Sequence, residues 1–123
     1  MVVMFKKLAV IMLLLQAMAG CKNGQEMPQT IRGFLTLGNE VSDFEECDKP
    51  GFYYWVEDES GSLDSLYQLV ASREYEPVFI QMEALKLPPL KLGYAEERDG
   101  LIRVRKVVKI EKKNKENSCF QEK

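Results

Sequence analysis

The chain contains no histidine at all. Histidine is the commonest general base and metal ligand near neutral pH and the usual partner of a nucleophilic serine or cysteine, so its absence argues against a hydrolase. Cysteine is scarce, with three residues, and no apolar run approaches the roughly 20 residues that a membrane-spanning helix needs. We therefore expect a non-enzymatic protein that uses neither a metal nor a cofactor.

The length and charge of the chain set further limits. At 123 residues it has room for one small domain with a single core. Its 17 basic and 19 acidic residues leave a net charge of −2. A chain that is slightly acidic overall is a poor general binder of nucleic acid, whose phosphates demand a basic surface.

Residues 1–20 have the pattern of a targeting segment. Lys6 and Lys7 form a short basic region, and an unbroken apolar run follows from Leu8 to Leu15. A run of this length suits a signal peptide and is too short to cross a bilayer core of roughly 30 Å as a helix. We expect residues 1–20 to be removed during export.

A cysteine stands directly after this segment, preceded by Ala19 and Gly20. The arrangement resembles the lipobox of bacterial lipoproteins, although Met18 stands where leucine is usual. The resemblance implies cleavage before Cys21 and attachment of lipid, including palmitate, to its thiol. The alternatives are an ordinary secretory signal with a chance cysteine and, less compatible with the polar residues that follow, a transmembrane anchor.

The next residue, Lys22, bears on the destination. An aspartate there would favour retention in the inner membrane under enteric-type sorting, so the resemblance implies an outer-membrane protein, anchored by its lipid and facing the periplasm. Three acyl chains exceed the two signals that stable anchoring requires. Residues 21–29 would then be the lipidated cysteine and a polar linker.

With Cys21 assigned to lipid, Cys47 and Cys119 are left, and only one pairing is open to them. An exported compartment is oxidising enough for a disulfide. Free buried thiols or a two-cysteine metal site are the alternatives, and the second is a poor site without histidine. We expect a Cys47–Cys119 disulfide.

Alternating apolar residues and turn signals divide residues 30–120 into short strands, and residues 121–123 form a tail. A stripe at helical spacing begins at Leu63, with Ser62 as a candidate N-cap, and ends near Ser72. Asp99-Gly100 is a hairpin signal. The predicted strands are Thr30–Leu37, Val41–Cys47, Phe52–Val56, Val78–Leu85, Leu90–Tyr94 and Leu101–Ile110.

The last strand contains an irregularity. Ile102, Val104, Val108 and Ile110 share one face by alternation, and Lys106 falls on the same face. A lysine among inward residues predicts a bulge or an open end of the sheet. The whole order, three strands, one helix and three strands, favours a mainly β protein: a small OB-like antiparallel barrel with one α-helix.

The chain from Thr30 to about Phe120 resembles the C-terminal OB-fold domain of NlpE-type outer-membrane lipoproteins. The residues that carry the resemblance are Arg32-Gly33, Phe44-x-x-Cys47, Tyr53-Tyr54-Trp55, Pro77-Val78 and the strand Leu101–Ile110. The resemblance implies an envelope-stress or surface-sensing role through contact with an envelope protein. NlpE itself has a preceding domain with a Cys-x-x-Cys motif, which this chain lacks, so copper binding and redox sensing are not carried over.

Two candidate binding surfaces follow. In the aromatic strand, Tyr54 and Trp55 point to opposite sides, so one belongs to the core and the other is a candidate platform for a ligand. In the last strand, Arg103, Arg105 and Lys109 face outwards and form a candidate site for an anionic lipid or an acidic partner. The alternative is that these bases pair with the acidic segment Glu40–Asp64 as solvated faces.

Three functions thus compete. The first is a non-enzymatic envelope lipoprotein that acts by protein contact. The second is an OB-type binding module for an oligosaccharide or another small envelope ligand. The third, an enzyme, is disfavoured by the missing histidine. A calcium site in the acidic loop Glu57–Gly61 is a further alternative, although the loop lacks EF-hand spacing and suits a helix N-terminus equally well.

Overall fold

The computed structural model describes residues 27–119. The predicted signal peptide, the lipidation site Cys21 and the first part of the linker therefore lie outside the described residues, as does the tail from residue 120. The elements are β1 (Gln29–Gly38), β2 (Val41–Glu46), β3 (Tyr53–Asp58), α1 (Leu63–Val70), β4 (Val78–Leu87), a 3-10 helix (Gly93–Glu97) and β5 (Gly100–Lys112).

The five strands close into a barrel in the order β1-β2-β3-β5-β4. Every neighbouring pair is antiparallel except β3 and β5, which are parallel. A barrel of this kind has no free sheet edge, because β4 returns to pair with β1. The predicted fold class, a mainly β OB-like barrel with one helix, is confirmed.

The core lies inside the barrel, and strand alternation decides what enters it. In β1, Ile31 and Leu35 point inwards, and Gly33 lies between them against the backbone of β2. A Cβ at Gly33 would lie 2.1 Å from the carbonyl oxygen of Glu45, so only glycine fits this close approach. The side chains that are completely buried are Leu35, Phe44, Val78, Ile80, Met82, Ala84, Ile102 and Val104.

The two ends of the barrel are closed differently. Leu63 and Tyr67 of α1 join the core at the end where β1 turns into β2. At the other end, Glu46 is only 5% exposed and is paired with Lys86 of β4. Gln29, where the described chain enters the barrel, pairs with Ala84 of β4. The linker therefore joins the barrel at the ion-pair end, away from α1.

The helix begins where the sequence predicts but is capped differently. Ser62 occupies the N-cap position without a side-chain cap hydrogen bond. Asp58 supplies it instead, since its carboxylate accepts from the Leu63 N–H at 3.0 Å. The helix ends at Val70, slightly short of the predicted end near Ser72, because Ala71 is already extended.

The predicted irregularity in β5 is present. The register between β4 and β5 shifts twice, between Gln81 and Met82 and again between Glu83 and Ala84, and Lys106 is exposed. The shift changes which residues point inwards. Val107 packs against the core, whereas Val108, predicted to face inwards, is 50% exposed.

The predicted strand Leu90–Tyr94 and the hairpin at Asp99-Gly100 are both wrong. The segment after Pro88-Pro89 forms the 3-10 helix Gly93–Glu97 instead. Asp99 accepts a hydrogen bond from the Tyr53 N–H at 2.9 Å, and Gly100 begins β5 directly. The reason is topological: β5 already has β3 on one side and β4 on the other, so no edge is left for a sixth strand.

Among the described residues, no helix is both long and apolar enough to cross a membrane.

Candidate functional site

Cys47 and Cys119 form the predicted disulfide, with Cα atoms 5.3 Å apart and 72 positions between them in sequence. Asn117 helps to turn the chain back after β5, because its side-chain amide donates to the Lys112 carbonyl at 2.8 Å and to Glu111 at 3.0 Å. The bridge therefore fastens the segment after β5 to the end of β2.

The aromatic strand resolves into an inner and an outer set. Tyr54 is 3% exposed and lies in the core, with its ring centroid 4.9 Å from that of Phe52 and 6.2 Å from that of Phe44. Trp55 points to the outside of β3 and is half-buried, and its neighbour Tyr53 is 43% exposed. Of the two candidate platform residues, only Trp55 thus lies on the outer face.

The candidate basic surface faces outwards, but its cations have partners. Arg103 lies 3.3 Å from Glu57 and 3.4 Å from Glu59, and Arg105 lies 2.7 Å from Glu59. Lys109 lies 3.6 Å from Glu111. The pairing between the acidic and basic segments, the alternative to a binding face, is therefore seen for Arg103 and Arg105.

The acidic loop spends its carboxylates on this chain. Glu57 and Glu59 receive the arginines, and Asp58 accepts hydrogen bonds from the Ser60 backbone and from the start of α1. Across residues 27–119, no group of three or more histidine, cysteine, aspartate or glutamate side chains is placed to hold a metal ion.

The ion pair at the linker end was not anticipated. Lys86 Nζ lies 2.8 Å from both carboxylate oxygens of Glu46, and the Tyr54 hydroxyl donates to Glu46 at 3.5 Å. Burial lowers the pKa of Lys86, but the hydrogen bonds and charge of Glu46 outweigh it, so the pKa is raised above its ordinary value. The sequence signal was alternation, which places Glu46 on the same inward face as Phe44.

A cleft at the opposite end was also missed. It lies between the β1–β2 turn and α1, measures about 750 Å³ and has apolar walls that include Val56, Leu63 and Tyr67. The Tyr67 hydroxyl donates to the Glu76 carbonyl at 2.6 Å. Burial raises the pKa of Tyr67 above its ordinary value. No sequence motif marks this cleft, because its walls come from four separate segments.

Comparison of the chain with models of protein families, with curated proteins and with solved structures finds no match.

Proposed function

We propose that the chain is a bacterial envelope lipoprotein, held at the outer membrane by lipid on Cys21, whose OB-like barrel acts in the periplasm by contacting another protein. The Cys47–Cys119 bridge carries this proposal. It accounts for two of the three cysteines and suits an oxidising compartment, which is where the signal-like residues 1–20 would deliver the chain. Cys21 is then left over, directly after Ala19 and Gly20.

The anchor is tested by the variant Cys21→Ser and by globomycin, which inhibits lipoprotein signal peptidase. Both should move the protein out of the membrane fraction or leave it as an uncut precursor. The variant Met18→Leu, which restores the commoner residue, should fractionate like the wild type. Unchanged membrane association in both the Cys21→Ser and the globomycin experiments would remove the anchor from the proposal.

Protein contact is supported by the resemblance to the NlpE-type OB domain and by the lack of histidine, which disfavours catalysis. In that family the domain serves envelope-stress or surface sensing, and we propose a role of the same kind here. Crosslinking in intact cells followed by purification should recover a defined envelope protein. Recovery of no such protein, together with binding of an oligosaccharide on a glycan array, would favour the second candidate.

That second candidate, a module for an oligosaccharide or another small envelope ligand, is favoured by one observation: Trp55 and Tyr53 both point outwards from β3. Exposed aromatics on this sheet are how many OB folds hold ligands. The variant Trp55→Ala should abolish glycan binding with the fold intact, whereas Tyr94→Ala, an exposed aromatic outside β3, should not. Equal binding by wild type and Trp55→Ala would exclude this platform.

A further inference from the structure

The cleft between the β1–β2 turn and α1 is the largest concavity described above, and its volume of about 750 Å³ lies in the range of ligand pockets, roughly 300–1,000 Å³. Its floor is apolar: Leu63 and Tyr67 of α1 and Val56 of β3 are buried there. Leu37 and Val41, on either side of the turn, are half-buried and complete the wall. An occupant must therefore bring apolar surface.

The rim of the cleft is acidic. Asp58, Asp64 and Glu74 all line it, and none of the described residues that line it is basic. Asp64 accepts one hydrogen bond, from the Gln68 side chain at 3.1 Å. Glu74 has no hydrogen-bond or ion-pair partner within residues 27–119. Its charge does reach the cleft floor, where it raises the pKa of Tyr67, although less than burial does.

Other acids of the barrel are neutralised, which sets the cleft apart. Glu46 is paired with Lys86, Asp43 with Arg98 and Glu76 with Lys112. Glu57 and Glu59 are bound by arginines of β5. The carboxylates of Asp64 and Glu74 thus leave uncompensated negative charge beside an apolar floor, and that combination suits a lysine or arginine whose alkyl stem packs while its charged end stays at the rim.

The position of the cleft argues for a protein rather than a lipid. The linker enters the barrel at Gln29, at the end closed by Glu46 and Lys86, whereas the cleft lies at the α1 end. A barrel tethered through Gln29 directs the cleft away from its own membrane. An acidic rim also repels anionic headgroups.

We infer that this cleft binds a basic segment of a partner protein, inserting a lysine or arginine side chain with an apolar neighbour. The inference rests on the proposed function, since it names the surface and the kind of partner through which the protein contact is made. The partner segment should carry a lysine or arginine beside an aliphatic or aromatic residue.

The test is photo-crosslinking in intact cells with the full-length protein. A photoreactive amino acid replaces Gln68, an exposed residue that lines the cleft, and in a second strain it replaces Asn114, which does not. Crosslinked peptides are identified by mass spectrometry. Gln68 should capture a segment with a lysine or arginine next to an apolar residue, at least tenfold more than Asn114 captures the same segment.

Charge dependence is measured in the same assay. The double variant Asp64→Asn with Glu74→Gln should lower the Gln68 crosslink about tenfold, as expected for the loss of two ion pairs worth up to about 1 kcal/mol each. The matched control Glu96→Gln with Glu97→Gln removes the same charge from the exposed 3-10 helix, outside the cleft, and should leave the crosslink unchanged.

Three results would overturn the inference. Crosslinks to acidic or wholly apolar segments would exclude a basic partner, and equal loss in both double variants would show only a general charge effect. Crosslinks from Asn114 with none from Gln68 would exclude the cleft while protein contact itself stands. A lack of protein crosslinks from both positions would instead contradict the proposed function.

Discussion

At the scale of single residues, two positions show how the barrel limits its own sequence. Gly33 lies where β1 and β2 approach most closely, with room for a hydrogen and nothing larger. Glu46 is a buried charge, which is tolerable only because Lys86 neutralises it at 2.8 Å. Alternation placed both residues on the inward face, but the sequence alone showed neither the close approach nor the partner, because each depends on a second strand.

The variant Gly33→Ala should lower the free energy of unfolding by about 1–3 kcal/mol, the usual range for overpacking a closely packed site. Its Cβ would meet the Glu45 carbonyl at 2.1 Å and the Phe44 ring at 2.8 Å. Denaturant unfolding followed by circular dichroism measures the difference. Wild-type stability in this variant would mean that β1 and β2 separate easily at this point.

The variant Lys86→Met should be destabilising by about 3–5 kcal/mol, because it leaves the Glu46 carboxylate buried without its cation. Adding Glu46→Gln should recover part of the loss, since it removes the unpaired charge. Unfolding of the two variants side by side measures this. A double variant no more stable than Lys86→Met alone would show that the buried charge is not the cause.

Lys86 also predicts a dependence on alkaline pH. Its pKa is raised in the folded protein, so its contribution to stability is complete below the unfolded value of about 10.4 and is lost as the pH rises through the folded value. Stability measured between about pH 9 and 12 should fall more steeply for the wild type than for the double variant Lys86→Met with Glu46→Gln. Tyr67, whose pKa is also raised, contributes equally to both proteins.

At the scale of elements, alternation and helical spacing located all five strands and α1, because their apolar residues repeat with the period of the structure they form. The error lay in Leu90–Tyr94, which alternates like a strand but has no sheet edge to join. Local pattern cannot report whether an edge is vacant, since that depends on the closed order β1-β2-β3-β5-β4. The cleft escaped prediction for the same reason.

The segment after β5 carries the element-scale prediction. Reducing the Cys47–Cys119 bridge opens a loop of 72 positions, so the double variant Cys47→Ser with Cys119→Ser should be less stable by about 4 kcal/mol in the chain-entropy model. Thermal unfolding with and without reductant measures this. Reductant should affect Cys21→Ser as it affects the wild type, and should have no effect on the double variant. A reductant effect that disappears in Cys21→Ser would assign the bridge to the wrong pair.

At the scale of the whole molecule, the barrel has two distinct ends. One receives the linker and is closed by the ion pair of Glu46 and Lys86; the other carries α1 and the acidic cleft. This polarity suits a tethered protein that meets its partner on the side away from its anchor. The anchor itself is a proposal from Cys21 and the residues before it, and it determines which of the two ends faces the membrane.

Intact-mass spectrometry of the full-length gene product extracted from bacterial membranes tests this proposal most directly. We expect a chain that begins at Cys21, carries the added mass of diacylglycerol and an N-terminal acyl group, and gains two hydrogens on reduction of Cys47–Cys119. A membrane-extracted chain without lipid, or one cut at a position other than the bond before Cys21, would contradict the proposed function at its base.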